Sequence, residues 1–449
     1  MVLGSARVQT LKRKRRTMSP PVIIAGSFLF LIFVGTLLLK LPIATTTHVS
    51  WIDVLFVVTS ATTVTGLSVF DPGSTLTIFG EVVLMILIQC GGIGLMTFAV
   101  AILILLKKKI GFQNRIYIQE SFNQNSVGGI IKLVKLILTF VLSVQLFATL
   151  VLTIHWIPTF GFKEALYLSV FHVISAFNNA GFALFPDNLI GFAHDPIVNI
   201  VLSLLFIIGG IGFTVVVDIQ QKKSFKQWSL HTKMMVVGTI IINVIAIAFV
   251  FLLEYNNPAT IGSMPLQDKL MVSYFQGVSP RTAGFNTLNY GDMEDPTILV
   301  TMVLMFIGAG SASTASGIKL TTFIVIVLAT FCFLRKRSEP ELFGRSIRLE
   351  TVIRSLAIST ISLFIVCFFL FLLTVTEKIS FLPLAFEVVS AFGTVGLSMG
   401  ITSQISDIGE VLLCMVMFIG RIGPLTLFFI LMKPKNVHYR YPYDQVFTG

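Results

Sequence analysis

Four short polar segments, each closed by a glycine, interrupt apolar runs of a length and hydrophobicity suited to a membrane. They read Ala61-Thr-Thr-Val-Thr-Gly66-Leu67, Ala176-Phe-Asn-Asn-Ala-Gly181-Phe182, Ser279-Pro-Arg-Thr-Ala-Gly284-Phe285 and Ala391-Phe-Gly-Thr-Val-Gly396-Leu397. Their glycines lie 115, 103 and 112 residues apart. One such segment is a loop; four at near-constant spacing, each between hydrophobic stretches, read as four walls of one ion pathway. Only 12% of the 449 residues are charged and 55% are hydrophobic. That is about half the charge of a soluble domain, so lipid is expected to solvate most of the chain.

Long apolar runs fall at about 21–41, 77–106, 129–157, 196–219, 233–253, 297–334, 352–375 and 409–432. Within each successive pair lies a shorter stretch, at about 51–62, 163–177, 267–278 and 381–391. A helix needs roughly 20 residues to cross a bilayer. Each short stretch is therefore expected to enter from the outer face as a half-helix and to return through its glycine segment. Basic clusters at residues 12–16, 107–109, 222, 223 and 226, 335–337, and 433 and 435 border alternate crossings. The loops near Trp51, Glu164, Asp268 and Glu377 carry far fewer Lys and Arg. This positive-inside pattern puts both termini in the cytoplasm and accounts for the formal charge of +11 without nucleic acid.

All four units then begin and end on the cytoplasmic side, so the repeats are parallel, unlike the inverted repeats of many alternating-access transporters. The expected fold is an all-α polytopic membrane protein with eight spanning helices and four re-entrant half-helices around a central pore. Its units run over 1–109, 110–222, 223–345 and 346–449. The stretch 110–126 reads as an interfacial or cytoplasmic helix. The first apolar run is long, lacks a small-residue cleavage site, and is expected to be a retained span. Cys90, Cys332, Cys367 and Cys414 lack CxxC or Cys/His spacing and read as buried inert thiols. With no clustered nucleophile, base or metal motif, the chain is not expected to be an enzyme.

Non-helical backbone at membrane depth survives only when buried in protein or lining water. An ion pathway is such a setting, since stacked carbonyls can replace the hydration shell of K⁺. Glycine adopts backbone angles that other residues resist, and the C-terminal ends of the half-helices favour a cation. The candidate filter is Val64, Thr65 and Gly66; Asn179, Ala180 and Gly181; Thr282, Ala283 and Gly284; and Thr394, Val395 and Gly396. Arg281 is expected behind the filter, paired with an acid or a carbonyl. Asp71, Asp187 and Asp292 either concentrate cations at the mouth or are solvated loop charges. His172 reads as a hydrogen-bonded structural histidine.

A second small-residue repeat follows 24 to 28 residues after each glycine: Gly91-Gly-Ile-Gly94, Gly209-Gly-Ile-Gly212, Gly308-Ala-Gly-Ser311 and Gly420-Arg-Ile-Gly423. Ordinary small-residue packing accounts for two or three of these, and the shared position makes them a repeat. The run 297–334 would be about 57 Å long as one straight helix, against a hydrocarbon core of about 30 Å. It must tilt strongly or break, and the small, polar stretch 308–317 is the expected break. A phosphate-binding loop is excluded there, because no GxxxxGK[ST] pattern occurs. Arg421, near the middle of the last run, costs about 2.5–3.5 kcal/mol to insert; it should face the pore or bind carbonyls of the broken helix.

At these residues the chain resembles the Trk/Ktr/HKT superfamily of K⁺ transporters, most closely the membrane subunits of bacterial Ktr systems. The resemblance covers nearly the whole chain and implies four span–pore-helix–span repeats around one pore in a bacterial cell membrane. It implies K⁺ as the transported ion, with Gly66 in place of the serine that some Na⁺-favouring relatives carry. It makes 308–317 an intramembrane gate, with Gly308, Gly310, Ser311, Ser313, Thr314, Ser316 and Gly317 as its candidates, Lys319 as anchor and Arg421 as barrier. It further implies a homodimer and a cytoplasmic ring of nucleotide-binding subunits holding ATP or ADP, with no cofactor in this chain. Na⁺ stimulation follows from the same resemblance, without locating a Na⁺ site. The basic loops and the tail 433–449, with Tyr439, Tyr441, Pro442 and Tyr443, are expected to dock the ring or to pack at the dimer interface. The expected activity is gated, channel-like K⁺ uptake. The competing reading is obligatory cation-coupled K⁺ symport, disfavoured by the parallel repeats and the scarcity of buried carboxylates.

Overall fold

The computed structural model describes residues 20–94, 130–311, 313–424, 426, 427, 442 and 444. The expectations for 110–126, for the basic clusters at 12–16, 107–109, 433 and 435, and for Tyr439, Tyr441 and Tyr443 lie outside them. The described chain is mainly helical. In order it forms α1 (Pro20–Leu39), α2 (Trp51–Thr63), α3 (Ile78–Ile93), α4 (Ile130–Phe160), α5 (Phe162–Phe177), α6 (Pro196–Ile211) and α7 (Phe213–Gln221). Then follow α8 (Leu230–Glu254), α9 (Leu266–Val278), α10 (Asp295–Phe306), α11 (Leu320–Leu334), α12 (Leu349–Thr376), α13 (Phe381–Gly393) and α14 (Asp407–Ile422). A two-residue hairpin pairs Glu341 with Ser346 and Leu342 with Arg345 on the way from α11 to α12.

Local chemistry sets the starts. Ser50 and Asp53 close a reciprocal capping box on α2. Thr77, Asp195, Ser229 and Ser406 cap α3, α6, α8 and α14 by accepting from backbone N–H groups. Pro196 stands in the first turn of α6, where its missing N–H has no intrahelical role.

Among the described residues, α1, α4, α8 and α12 contain the stretches long and apolar enough to cross a membrane. Their outward faces carry Phe30, Phe33, Phe147, Ile240, Val244, Phe364 and Phe371, all exposed. The usual pattern is inverted at the centre, where Ser60, Thr62, Thr63, Thr65, Asn178, Thr282 and Ser390 are fully buried. Such a girdle suits lipid, since an exposed apolar face in water would favour association.

The four short helices α2, α5, α9 and α13 fall where half-helices were expected. The second run of each unit differs from a single straight span. Helix α3 stops at Gly94, and α6 ends at Gly212, where the chain turns by 89° into α7. Helix α14 stops at Gly423, and α10 stops at Ile307 before a non-helical stretch leading to α11. Gly94, Gly212 and Gly423 have φ of 88°, 106° and 91°, a region costly for residues with a Cβ. Hydropathy continues across these glycines, so an apolar run alone does not reveal the breaks. The break within 308–317 was expected and lies between Phe306 and Leu320.

Helix contacts close a cycle. Helix α3 packs on α5, α6 on α9, α10 on α13, and α14 on α2. Each unit's second run thus supports the next unit's half-helix, and the last supports the first.

The thiols are free, with Cys90 and Cys332 buried and Cys414 half-buried. Cys367 departs from the expected burial: it is exposed on α12, a helix whose outer face is apolar.

Candidate functional site

The four glycine segments meet at the centre of this cycle and share one backbone shape. Gly66, Gly181, Gly284 and Gly396 have φ of 101°, 69°, 76° and 92°. Two residues before each, Val64, Asn179, Thr282 and Thr394 also have positive φ, between 47° and 77°. Such residues are uncommon outside glycine, and four at equivalent positions constitute a built feature. The glycines themselves touch around a ring. A methyl on Gly66 would run into the Ala180 carbonyl, and one on Gly181 would lie 2.9 Å from Cα of Gly284. One on Gly284 would strike the Val395 carbonyl, and one on Gly396 would strike that of Thr65, 2.9 Å from Cα of Gly66. The contacts run first to second, second to third, third to fourth and fourth to first.

A serine at the end of each half-helix holds its segment, a role the sequence reading missed. The N–H groups of Thr65, Ala180, Ala283 and Val395 donate to the carbonyls of Ser60, Ser175, Ser279 and Ser390 at 2.7 to 3.0 Å. The hydroxyls of Ser60 and Ser390 accept from the N–H of Gly66 and Gly396 at 3.0 and 3.1 Å. Those of Ser175 and Ser279 donate instead to the carbonyls of Phe182 and Phe285. The signal was legible as a serine five or six residues before every glycine. Ser390→Ala leaves a buried N–H without its acceptor, which costs about 1–3 kcal/mol. The expected result is a lowered Tm of the purified protein; an unchanged Tm would remove the serine from this role.

The second glycine repeat now has a physical account. Gly91, Gly209 and Gly420 let their helices approach the carbonyls of Thr62, Phe177 and Phe392, at the ends of α2, α5 and α13. Three of the four small-residue motifs are therefore packing positions. In the third unit Gly308 instead faces the carbonyl of Ser316, inside the broken segment.

That segment docks on the broken ends of its neighbours. Gly310 N–H donates to Gly210 O at 2.8 Å and Thr314 N–H to Gly209 O at 3.4 Å, engaging carbonyls left open at the end of α6. Arg421 Nη1 donates to Thr314 O and, at 3.2 Å, to Ser316 Oγ. Its Nη2 donates to Gly91 O and, at 3.3 Å, to Gly92 O, at the negative end of α3. Lys319 Nζ donates to Ala315 O at 2.7 Å, and Ser313 Oγ to Gly310 O at 2.8 Å. Thr314 Oγ1 donates to Asn179 Oδ1 at 2.9 Å, and Asn179 Nδ2 to Thr282 Oγ1 at 3.1 Å. Arg421, Thr314, Asn179 and Thr282 thus form one polar chain from the broken helix to two glycine segments. The sequence left Arg421 between the pore and broken-helix carbonyls; the structure gives it the carbonyls of both the segment and α3.

On the opposite side the glycines open into a cavity of about 510 Å³ whose wall includes Gly66, Gly181, Gly396, Asp71 and Asp187. Asp71 also caps the turn Pro72–Thr75. Asp292 takes a hydrogen bond from Asn289 Nδ2 at 3.0 Å and is not part of that wall. His172 is structural: Nδ1 bonds Leu168 O at 2.7 Å, Nε2 accepts from Leu184 N–H at 3.4 Å, and the ring stacks on Phe185. Among the described residues the Arg281 side chain finds neither an acid nor a backbone carbonyl; its Nη1 donates to the side-chain amide oxygen of Asn243. Buried carboxylates are not scarce: Glu81, Glu254, Glu387 and Glu410 are all at most 7% exposed. Glu81 and Glu387 escape a hydropathy reading because each stands alone in an apolar context.

A family profile for cation transport proteins, TrkH, matches residues 3–440. The chain is 53% identical to the Ktr system potassium uptake protein B of Bacillus subtilis, over 96% of this chain and 97% of that protein. It is 40% identical to the protein of the same name from Vibrio alginolyticus, over 98% and 97%. With the potassium/sodium uptake protein NtpJ of Enterococcus hirae it shares 36% identity over 98% and 99%. Its fold is similar to the crystal structure of the potassium transporter TrkH from Vibrio parahaemolyticus, with a TM-score of 0.75 at 20% identity. That likeness covers 94% of this chain and 86% of the other.

Proposed function

The chain belongs to the TrkH family of cation transport proteins, and from that premise we propose that it is the ion-translocating membrane subunit of a K⁺ uptake system. The observation that carries the reading is the closed ring of four positive-φ glycines. Four parallel repeats, each of two spans and a half-helix, surround one pore, with divisions near 109, 222 and 345. Alternating positive and negative φ turns successive carbonyls toward a common axis. The carbonyls of residues 64–66, 179–181, 282–284 and 394–396 then replace the water around K⁺, while Asp71 and Asp187 raise the cation concentration at the mouth. The segment 308–317 with Lys319 and Arg421 is the gate, standing between this filter and the cytoplasm. Flux runs down the electrochemical gradient through a multi-pass protein of the bacterial cell membrane with both termini cytoplasmic.

The names of the Ktr relatives support a system of more than one component. The chain works as a homodimer on a cytoplasmic nucleotide-binding ring, and ATP or ADP acts there rather than on this chain. The Enterococcus relative's name supports a Na⁺ influence on uptake.

Purified protein in liposomes tests the reading. With K⁺ and Na⁺ gradients varied separately, a reversal potential that follows the K⁺ gradient alone is expected. Coupled symport is the second reading, and one observation favours it. Glu387 is buried behind the fourth segment, bonded through one oxygen to Thr402, with the other oxygen unpaired. A reversal potential set jointly by K⁺ and a second cation would replace the first reading by the second.

Gly66→Ser should weaken selectivity. The side chain would collide with the Ala180 carbonyl at a φ of 101°, displacing oxygens placed for K⁺. The K⁺/Na⁺ flux ratio is expected to fall on the order of tenfold, about 1.4 kcal/mol of discrimination. An unchanged ratio would count against the filter assignment.

A further inference from the structure

The side chain of Arg281 contributes nothing to the ring of carbonyls, and its surroundings are unusual for a buried cation. Its guanidinium makes one hydrogen bond, from Nη1 to Asn243 Oδ1 at 2.9 Å, while Nε and Nη2 are buried without acceptors. Among the described residues no carboxylate pairs with it. Thr239 Oγ1, one helical turn before Asn243 on α8, is likewise buried and unpartnered. All of these residues line one small cavity of about 20 Å³ between α6 and α8, whose wall also includes Phe206, Ile207, Val278 and Ala309.

Asn243 Oδ1 is already engaged by Nη1, so the remaining guanidinium N–H groups point into the cavity without an anionic or carbonyl partner. Its volume of about 20 Å³ suits one water-sized or monatomic guest better than a polyatomic oxyanion. A water would satisfy N–H groups but leave the guanidinium charge uncompensated in a low-dielectric setting, a costly arrangement. The C-terminal end of α9 precedes Arg281 and offers partial negative charge, yet none of its carbonyls accepts from the guanidinium. A monatomic anion meets both demands at once. We infer that Arg281, Thr239 and this cavity form a binding site for a single monovalent anion of chloride size, behind the third glycine segment. The bound anion neutralises the guanidinium and holds it away from the cation path.

The inference stands apart from the transport reading, because its test needs no flux. The full chain is crystallised from bromide, and the Tm of the purified protein is compared in KCl and potassium gluconate at equal K⁺. The expected result is a bromide anomalous peak within hydrogen-bonding distance of Arg281 Nε or Nη2. It is accompanied by a higher Tm in chloride, a difference lost in Arg281→Gln and in Thr239→Val. Thr239→Val carries the test alone if Arg281→Gln fails to fold. A water in place of the peak, or equal Tm in the two salts, overturns the inference. A bromide peak with no chloride effect on Tm means an adventitious ion only, and overturns it too.

Discussion

Replacing Arg421 by alanine is expected to raise K⁺ flux through the isolated chain by about tenfold or more. The guanidinium bridges two elements: the carbonyl of Thr314 and the hydroxyl of Ser316 on one side, and the carbonyls of Gly91 and Gly92 on the other. Hydrogen bonds to a charged group contribute about 1.5–3 kcal/mol each. Losing the equivalent of one such bond from the closed arrangement shifts the open-to-closed ratio by about 10-fold to 150-fold. On the proposed gate reading, removing the cation also removes an electrostatic barrier to K⁺. Deleting residues 310–316 should act in the same direction through the other partner. The measurement is K⁺ uptake into liposomes holding this chain without any cytoplasmic subunit, normalised to inserted protein. Flux equal to or below that of the unaltered chain, in both variants, would deprive the segment and Arg421 of their role.

The polar chain through Thr314 and Asn179 makes this more than a local matter. Thr314 contacts Arg421 through its carbonyl and Asn179 through its hydroxyl, so moving the broken helix disturbs a residue two positions before Gly181. The broken segment is therefore mechanically joined to the second glycine segment, and Asn179 extends that join to Thr282 of the third.

How much of this was legible in the sequence depends on what kind of signal each part leaves. The short helices α2, α5, α9 and α13 were legible because length against bilayer thickness is a one-dimensional test. So was the break near 308–317, where a run too long for the membrane crosses a small, polar stretch. The helix ends at Gly94, Gly212 and Gly423 were not, since apolar residues continue past each in the sequence and only the positive φ marks them. Arg421 was conspicuous as a charge in an apolar run, but its four acceptors come from residues more than 100 positions away. Long-range partners leave no local trace. The same holds for Arg281, whose Asn243 partner sits on another helix, and for Glu387, whose burial follows from packing rather than from its neighbours in sequence. The serines at 60, 175, 279 and 390 were different: their spacing before each glycine was visible in the sequence, but their role follows only from their hydrogen bonds.

Gly284→Ala should nearly abolish K⁺ flux, and it separates crowding from backbone strain. At φ 76° an alanine costs roughly 1–2 kcal/mol in conformation alone. The added methyl also meets the carbonyl of Val395 and lies 3.0 Å from Cα of Gly181. Both obstacles are backbone, which cannot rotate away as a side chain can, so the third and fourth segments must move apart and the carbonyls between them lose alignment. A distortion of about 3 kcal/mol in the conducting arrangement reduces flux by roughly 100-fold. Gly161→Ala provides the contrast. It has the same φ of 76° but nothing within 4 Å of the new methyl, and it stands at the other end of α5 from the Gly181 segment. That variant should lose stability and keep its flux and selectivity. If Gly284→Ala conducts like the unaltered chain at equal insertion, the contacts between the four glycines do not line the ion path. If Gly161→Ala falls as far as Gly284→Ala, strain rather than ring geometry is what the first substitution measured.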